Sequence, residues 1–144
     1  MADVRDVAAF ILRQCGEMTA MKLQKLVYYA QVWSLVWDER PLFPQRIEAW
    51  ANGPVCPDLY RLHQGLFRVG PHEIPGNPDE IDGDGQDTIR GVLNFYSDKS
   101  AQWLSDLSHQ EAPWRDSRAG LADGDRGSRE ITHAAMAEYY GGLS

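Results

Sequence analysis

Residues 19–38 read TAMKLQKLVYYAQVWSLVWD, and this stretch decides the fold. Thr19 is a good N-cap for a helix that extends to about Asp38. Apolar side chains fall on most sides of its helical wheel: Leu23, Leu26, Val27, Ala30, Trp33 and Trp37 on one face, with Tyr28, Val32, Leu35 and Val36 elsewhere. A helix that is apolar on most sides is normally buried on most sides. The sequence therefore predicts a central buried helix, with a narrow exposed edge near Lys22, Lys25 and Tyr29.

Further helices are predicted around this one. Asp3 is a suitable N-cap for a first helix, its apolar stripe runs from Val4 to Cys15, and Gly16 is the expected stop. Pro57 suits the first turn of another helix, whose inner face would carry Leu59, Leu62 and Leu66. Helical spacing returns over Ile89–Tyr96, after the cap Ser100, and after the cap Ser128 as far as Gly141.

One β element and one long loop interrupt the helices. The alternating segment at 47–51 predicts a short strand, and Asn52-Gly53-Pro54 turns the chain after it. Turn-forming residues crowd positions 68–87, which predicts a long surface loop with a short strand near Glu73-Ile74. The expected fold class is mainly α: one compact single-domain helical bundle over residues 1–144, built around the central helix with a small β-hairpin.

Composition and charge limit the classes of function. The 144 residues are 43% hydrophobic and 24% charged, which is typical of a globular domain. The net charge of −7 argues against binding nucleic acid or an anionic membrane and allows a protein partner with a basic face. No stretch is long and apolar enough for a membrane span. Acidic residues stand where a signal peptide would be basic, so a cytoplasmic location is expected.

The residues that could carry chemistry form no recognised pattern. The four histidines lie in different segments, and the acidic run at 80–87 resembles an EF-hand loop but has Gly91 where a bidentate glutamate is required. We therefore expect no metal, no cofactor and no catalytic residue. Cys15 and Cys56 are interpreted as small apolar core residues. The alternative from the class of enzymes is a hydrolase that uses Cys56 or His109. Such an enzyme needs a base beside the thiol, and the sequence places none there.

Three segments occur in register along the chain: KLQKLVYYAQ at 22–31, IEAWANGPV at 47–55 with Leu59-Tyr60 after it, and LSDLSHQEAPW at 104–114. Together they resemble the signature of the SocA-like antitoxin family, also called the Panacea domain, and Ile131–Tyr140 is similar to the family's closing helix. The resemblance implies a mainly helical fold with a small β element. It also implies the antitoxin half of a toxin–antitoxin pair, often carried by prophages, which neutralises its toxin by direct contact.

The motif residues divide into two predicted groups. A structural cluster would contain Leu23, Leu26, Tyr28, Trp50, Gly53, Pro54, Tyr60, His109 and Pro113. In this cluster Gly53 takes a positive φ, the aromatic rings pack around its turn, and His109 supplies a partner for a hydroxyl or indole group. The predicted partner-binding residues are Lys22, Lys25 and Tyr29 on the central helix, together with Trp114 and Arg115 in a stretch without helical pattern.

The identity of the partner is not contained in these motifs. The leading hypothesis is neutralisation of a cognate protein toxin. An alternative is a phage- or mobile-element-encoded regulatory adaptor that binds a host protein and has no toxin of its own.

Overall fold

The computed structural model describes residues 2–143, and it confirms the mainly α fold. The helices of this region are α1 (Val4–Cys15), α2 (Ala20–Trp37), α3 (Pro57–His63), α4 (Gly83–Tyr96), α5 (Ala101–Gln110), α6 (Ala112–Ser117) and α7 (His133–Gly141). The strands are β1 (Met18–Thr19), β2 (Ile47–Trp50), β3 (Gly53–Val55), β4 (Arg68–Val69) and β5 (Glu130–Ile131). Within residues 2–143, no helix is both long and apolar enough to cross a membrane.

Helix α2 is the centre of the molecule, as predicted. It packs against α1, α4, α5, α7 and β3, and Leu23, Leu26 and Val27 have no exposed surface. The hydroxyl of Thr19 accepts a hydrogen bond from the amide of Lys22 and so caps the helix. The other elements therefore pack around α2, which forms the core of the fold.

The small β-sheet is a hairpin extended by one strand. Strands β2 and β3 pair antiparallel, with Trp50 opposite Gly53 and Ala49 opposite Pro54. Strand β5 pairs with the other edge of β2, so the order is β3-β2-β5. Pro54 is tolerated because β3 is an edge strand of this sheet. A separate two-stranded pair joins β1 to β4 and was not predicted.

The predicted loop at 68–87 is wrong in its extent. Val69 lies in β4, a short 3₁₀ helix spans Pro78–Glu80, and α4 already begins at Gly83. The carboxylate of Asp82 caps α4 by accepting from the amide of Gly85, and it also pairs with Arg40 at 2.6 Å. The acidic, glycine-rich run is therefore a helix start. The strand expected near Glu73-Ile74 is not formed, although Ile74 is buried.

Three other boundaries differ from the prediction. The last helix is capped by Thr132 and not by Ser128, because residues 130–131 are drawn into the sheet as β5. Trp114 lies in α6, which has Pro113 in its first turn, and not in a non-helical stretch. Leu66 lies beyond the end of α3 and is exposed.

Candidate functional site

A wide groove opens where the hairpin of β2 and β3 meets the start of α2. Its volume is about 1110 Å³. The first residues of α2 and the turn between α3 and β4 form one wall, the hairpin forms the floor, and the loop before β5 forms the other wall. The lining residues used below are Met21, Gln24, Lys25, Glu48, Trp50, Tyr60, His63, Leu66, Phe67, Arg126 and Arg129.

Lys25 lies at the base of this groove and is only 1% exposed. Its ammonium donates one long hydrogen bond, of 3.4 Å, to the carbonyl of Pro54 and forms no ion pair with any residue of the described chain. Burial lowers the pKa of Lys25 to about 8. A buried ammonium normally has a carboxylate partner, so this site holds a cation whose donors are largely unused.

Gly53 makes room for Lys25. Its φ is +123°, and a Cβ at this position would lie 2.5 Å from Cε of Lys25 and 3.2 Å from Oγ of Ser108. The predicted positive φ of Gly53 is confirmed, but the prediction that aromatic rings pack around its turn is wrong for Tyr28. The lysine side chain packs against the turn, while Tyr28 belongs to a different cluster, in which it contacts Tyr29 and Tyr140.

Gln24 ties the start of α3 to the groove. Its carbonyl accepts from the amide of Cys56 at 2.9 Å, and its amide nitrogen donates to the carbonyl of Cys56 and lies 3.0 Å from Nε2 of His63. Since an amide nitrogen can only donate, His63 must accept here as a neutral ring, and burial accordingly lowers its pKa. Gln24 therefore fixes the positions of the Cys56 backbone and the His63 ring relative to each other.

The two cysteines differ from each other. Cys56 is buried, as predicted, and burial raises the pKa of its thiol to about 11. Cys15 is exposed, so the expectation that it is a core residue is wrong. A thiol with a raised pKa is a poor nucleophile at neutral pH. The environment of Cys56 thus gives no support to cysteine hydrolysis.

The hairpin is backed by a stack of aromatic rings. The indole of Trp114 donates to the carbonyl of Trp50 at 2.8 Å, and His109 stacks on Trp114 with ring centroids 4.0 Å apart. On the groove side, Trp50 meets Tyr60 edge to face at 5.0 Å. Nε2 of His109 is buried and has no hydrogen-bond partner within residues 2–143. The prediction that His109 supplies a partner to the aromatic hydroxyls or indoles is therefore wrong.

Glu111 takes that role instead, and the sequence reasoning missed it. Its Oε1 accepts from the hydroxyls of Tyr29 at 2.6 Å and Tyr140 at 2.7 Å, and Tyr28 contacts the hydroxyl of Tyr140 at 3.0 Å. Burial raises the pKa of Glu111. The network joins α2 and α7 to the junction between α5 and α6. The signal available in the sequence was only the position of this acid inside the third motif.

The predicted partner-binding residues are dispersed by the fold. Tyr29 and Lys25 are buried, and Trp114 is 6% exposed, so the expected exposed edge of α2 is wrong. The physical reason is that α4, α5 and the hairpin cover that edge. Lys22 is half-buried, with its ammonium on the carbonyl of Ser97 at 2.6 Å, while Arg115 is exposed.

The residues of the predicted structural cluster separate into four places. Leu23, Leu26 and Pro113 are buried packing residues. Trp50 and Tyr60 line the groove, and Gly53 and Pro54 contact Lys25. Tyr28 belongs to the Glu111 network and His109 to the aromatic stack. Residues 2–143 contain no group of three side chains suited to hold a metal ion.

A family model described as "Antitoxin SocA-like, Panacea domain" matches residues 23–115. The groove-forming hairpin, most of α2 and the third motif lie within the match, which defines a mainly helical protein of the antitoxin-like class. The chain belongs to the SocA-like antitoxin family, the Panacea domain, because the match covers well over half of its length. The match stops before α7, so the likeness of 131–140 to a closing helix stays a prediction. Comparison with curated proteins and with solved structures finds no match.

Proposed function

We propose that this chain is an antitoxin that acts in the cytoplasm and neutralises one cognate protein toxin by binding it directly. The observation that carries the proposal is the family membership over residues 23–115. Direct binding is the finer part of the proposal. It is supported by the exposed apolar side chains of Met21, Leu66 and Phe67 beside the groove, since exposed apolar clusters are typical of interaction sites.

The arrangement of polar residues favours binding over catalysis. Nucleophilic catalysis needs an activated nucleophile beside a free base. The thiol of Cys56 has a raised pKa, and Nε2 of the nearby His63 already accepts from Gln24. The polar groups of the motifs instead hold backbone segments together, as Gln24 does for Cys56 and Trp114 does for Trp50.

Co-expression tests this function. The open reading frame adjacent to the gene for this chain is expressed under an inducible promoter, with and without this chain, and its toxicity is scored by growth. We expect the wild-type chain to restore growth and to form a complex that survives gel filtration. Leu26→Asp is the control, because a charge in the core should prevent folding and abolish rescue.

Two outcomes would contradict the proposal in different ways. Rescue without a detectable complex would exclude direct neutralisation as the mechanism. A stable complex with a host protein, combined with no rescue of any adjacent-gene product, would support the regulatory adaptor instead.

A further inference from the structure

Lys25 lines the groove, and its ammonium has unused hydrogen-bonding capacity. Three N–H donors are available on its ammonium, and the protein supplies one acceptor at 3.4 Å, the carbonyl of Pro54. The side chain lines the groove although it is almost fully buried. An oxygen anion that entered the groove would therefore meet a desolvated and unpaired cation.

The rest of the groove has the same sign of charge. Arg126 and Arg129 also line the groove. Neither forms an ion pair among residues 2–143, although the guanidinium of Arg129 donates to the carbonyl of Ala119. Glu48 is the acidic residue of the lining, and its carboxylate is engaged by Arg46 at 3.0 Å and by the indole of Trp50. The groove is thus locally cationic in a chain whose net charge is −7.

An apolar rim adjoins the cationic base. Phe67 is 79% exposed at the end of one wall, and Leu66 and Met21 beside it are also exposed. Exposed aromatic and aliphatic side chains next to a deep polar anchor are the usual composition of a protein-binding hot spot. A free nucleotide or a phosphate would leave this rim uncovered, so a polypeptide suits the surface better.

We propose that this groove is the docking site for the toxin, and that it receives an acidic segment whose carboxylate pairs with Lys25 while apolar side chains cover Phe67. The proposal rests on the proposed function and adds the site and the chemistry of the partner. Net charge guides long-range approach, whereas the contact itself is set by the local charges of the groove. The anchor is a lysine that the sequence pattern had placed on the protein surface.

A second exposed aromatic surface competes with the groove and supplies the control. On α4 and α5, Phe95 is 61% exposed and Trp103 is 42% exposed, with the ammonium of Lys99 between their rings. None of these residues lines the groove. Phe95 and Phe67 are therefore a matched pair of exposed phenylalanines on two different surfaces.

The test measures the dissociation constant of the purified adjacent-gene product with the full-length chain and its variants. We expect Lys25→Met to weaken binding by about thirtyfold or more, since removing one partner of a buried ion pair has effects of this size. Phe67→Ser should also weaken binding, and Phe95→Ser should not. Melting curves of each variant verify that the fold is kept.

Further readouts distinguish the possible results. A photo-crosslinking residue at position 67 should capture the toxin, and the same residue at position 95 should not. Toxin variants with single Asp→Asn or Glu→Gln changes should include one that weakens the wild-type complex but has no further effect with Lys25→Met. A single-stranded RNA oligomer should not displace the toxin from the complex.

The proposal is overturned if Lys25→Met and Phe67→Ser bind as tightly as the wild type, if position 95 crosslinks in place of position 67, or if the RNA displaces the toxin. In each of these cases the proposed antitoxin function survives, because a complex is still formed. If the wild-type chain forms no complex at all, the proposed function fails and the docking site fails with it.

Discussion

Replacing Lys25 with methionine should make the protein more stable at neutral pH. Burial lowers the pKa of Lys25 from 10.5 to about 8, which means that the fold disfavours the charged form. Each tenfold change in a protonation constant corresponds to about 1.4 kcal/mol, so the buried charge costs about 3 kcal/mol at pH 7. Methionine keeps the unbranched shape and removes the charge. We therefore expect the free energy of unfolding to rise by about 2–3 kcal/mol, after loss of the long bond to Pro54.

The two pKa values of Lys25 determine how the stability of the wild type depends on pH. The folded pKa lies below the unfolded one, so the unfolded chain binds more protons between pH 8 and 10.5, and wild-type stability rises with pH over that window. The full free-energy cost of burying the charge is present below pH 8, and this cost disappears as the pH approaches 10.5. The difference in unfolding free energy between Lys25→Met and the wild type should therefore shrink by about 2 kcal/mol between pH 7 and pH 10.

Urea denaturation of both proteins at pH 7 and pH 10, followed by circular dichroism, measures this gap. Lys22→Met is the control on the same helix; it should not stabilise the protein, because the ammonium of Lys22 is only half-buried and donates to Ser97. A destabilised Lys25→Met protein at pH 7, or a gap that does not change with pH, would refute the reasoning. Together with the binding test, a gain in stability and a loss of affinity would show that Lys25 is retained for its partner.

Three further changes test the packing around the site. Gly53→Ala should destabilise the protein by about 2 kcal/mol or more in a thermal melt. Adding Lys25→Ala should recover part of this loss, since it removes the contact at 2.5 Å. If Gly53→Ala costs the same with and without Lys25→Ala, the φ of +123° alone is responsible. Glu111→Ala should lower the free energy of unfolding by on the order of 3 kcal/mol, because it leaves two buried tyrosine hydroxyls without an acceptor. Glu111→Gln should cost less. A lower urea midpoint for Glu111→Gln than for Glu111→Ala would contradict the network. Leu26→Ala should cost about 2–5 kcal/mol because Leu26 has no exposed surface, and a loss below 1 kcal/mol by denaturant titration would mean that the cavity collapses.

Local signals in the sequence were sufficient for most of the helices and for the hairpin. The caps Asp3, Thr19 and Ser100 each accept from a backbone amide at the predicted helix start. These features depend on residues within one turn of each other, so the sequence contains the whole interaction. Ser128 shows where this reasoning stops, because the cap four residues later is used once β5 has joined β2.

The sequence by itself determined the fold class, the central place of α2 and the family. Only the tertiary structure decided which polar side chains are buried and what they meet. The helical wheel placed Lys25 and Tyr29 at an edge of α2, but a wheel contains no information about which other element covers that edge. The acceptor for Tyr29 is Glu111, which lies 82 residues away in the chain, and the space for Lys25 exists because Gly53 has no side chain. Burial and pairing of these groups are long-range properties, so they follow from packing and not from any local pattern.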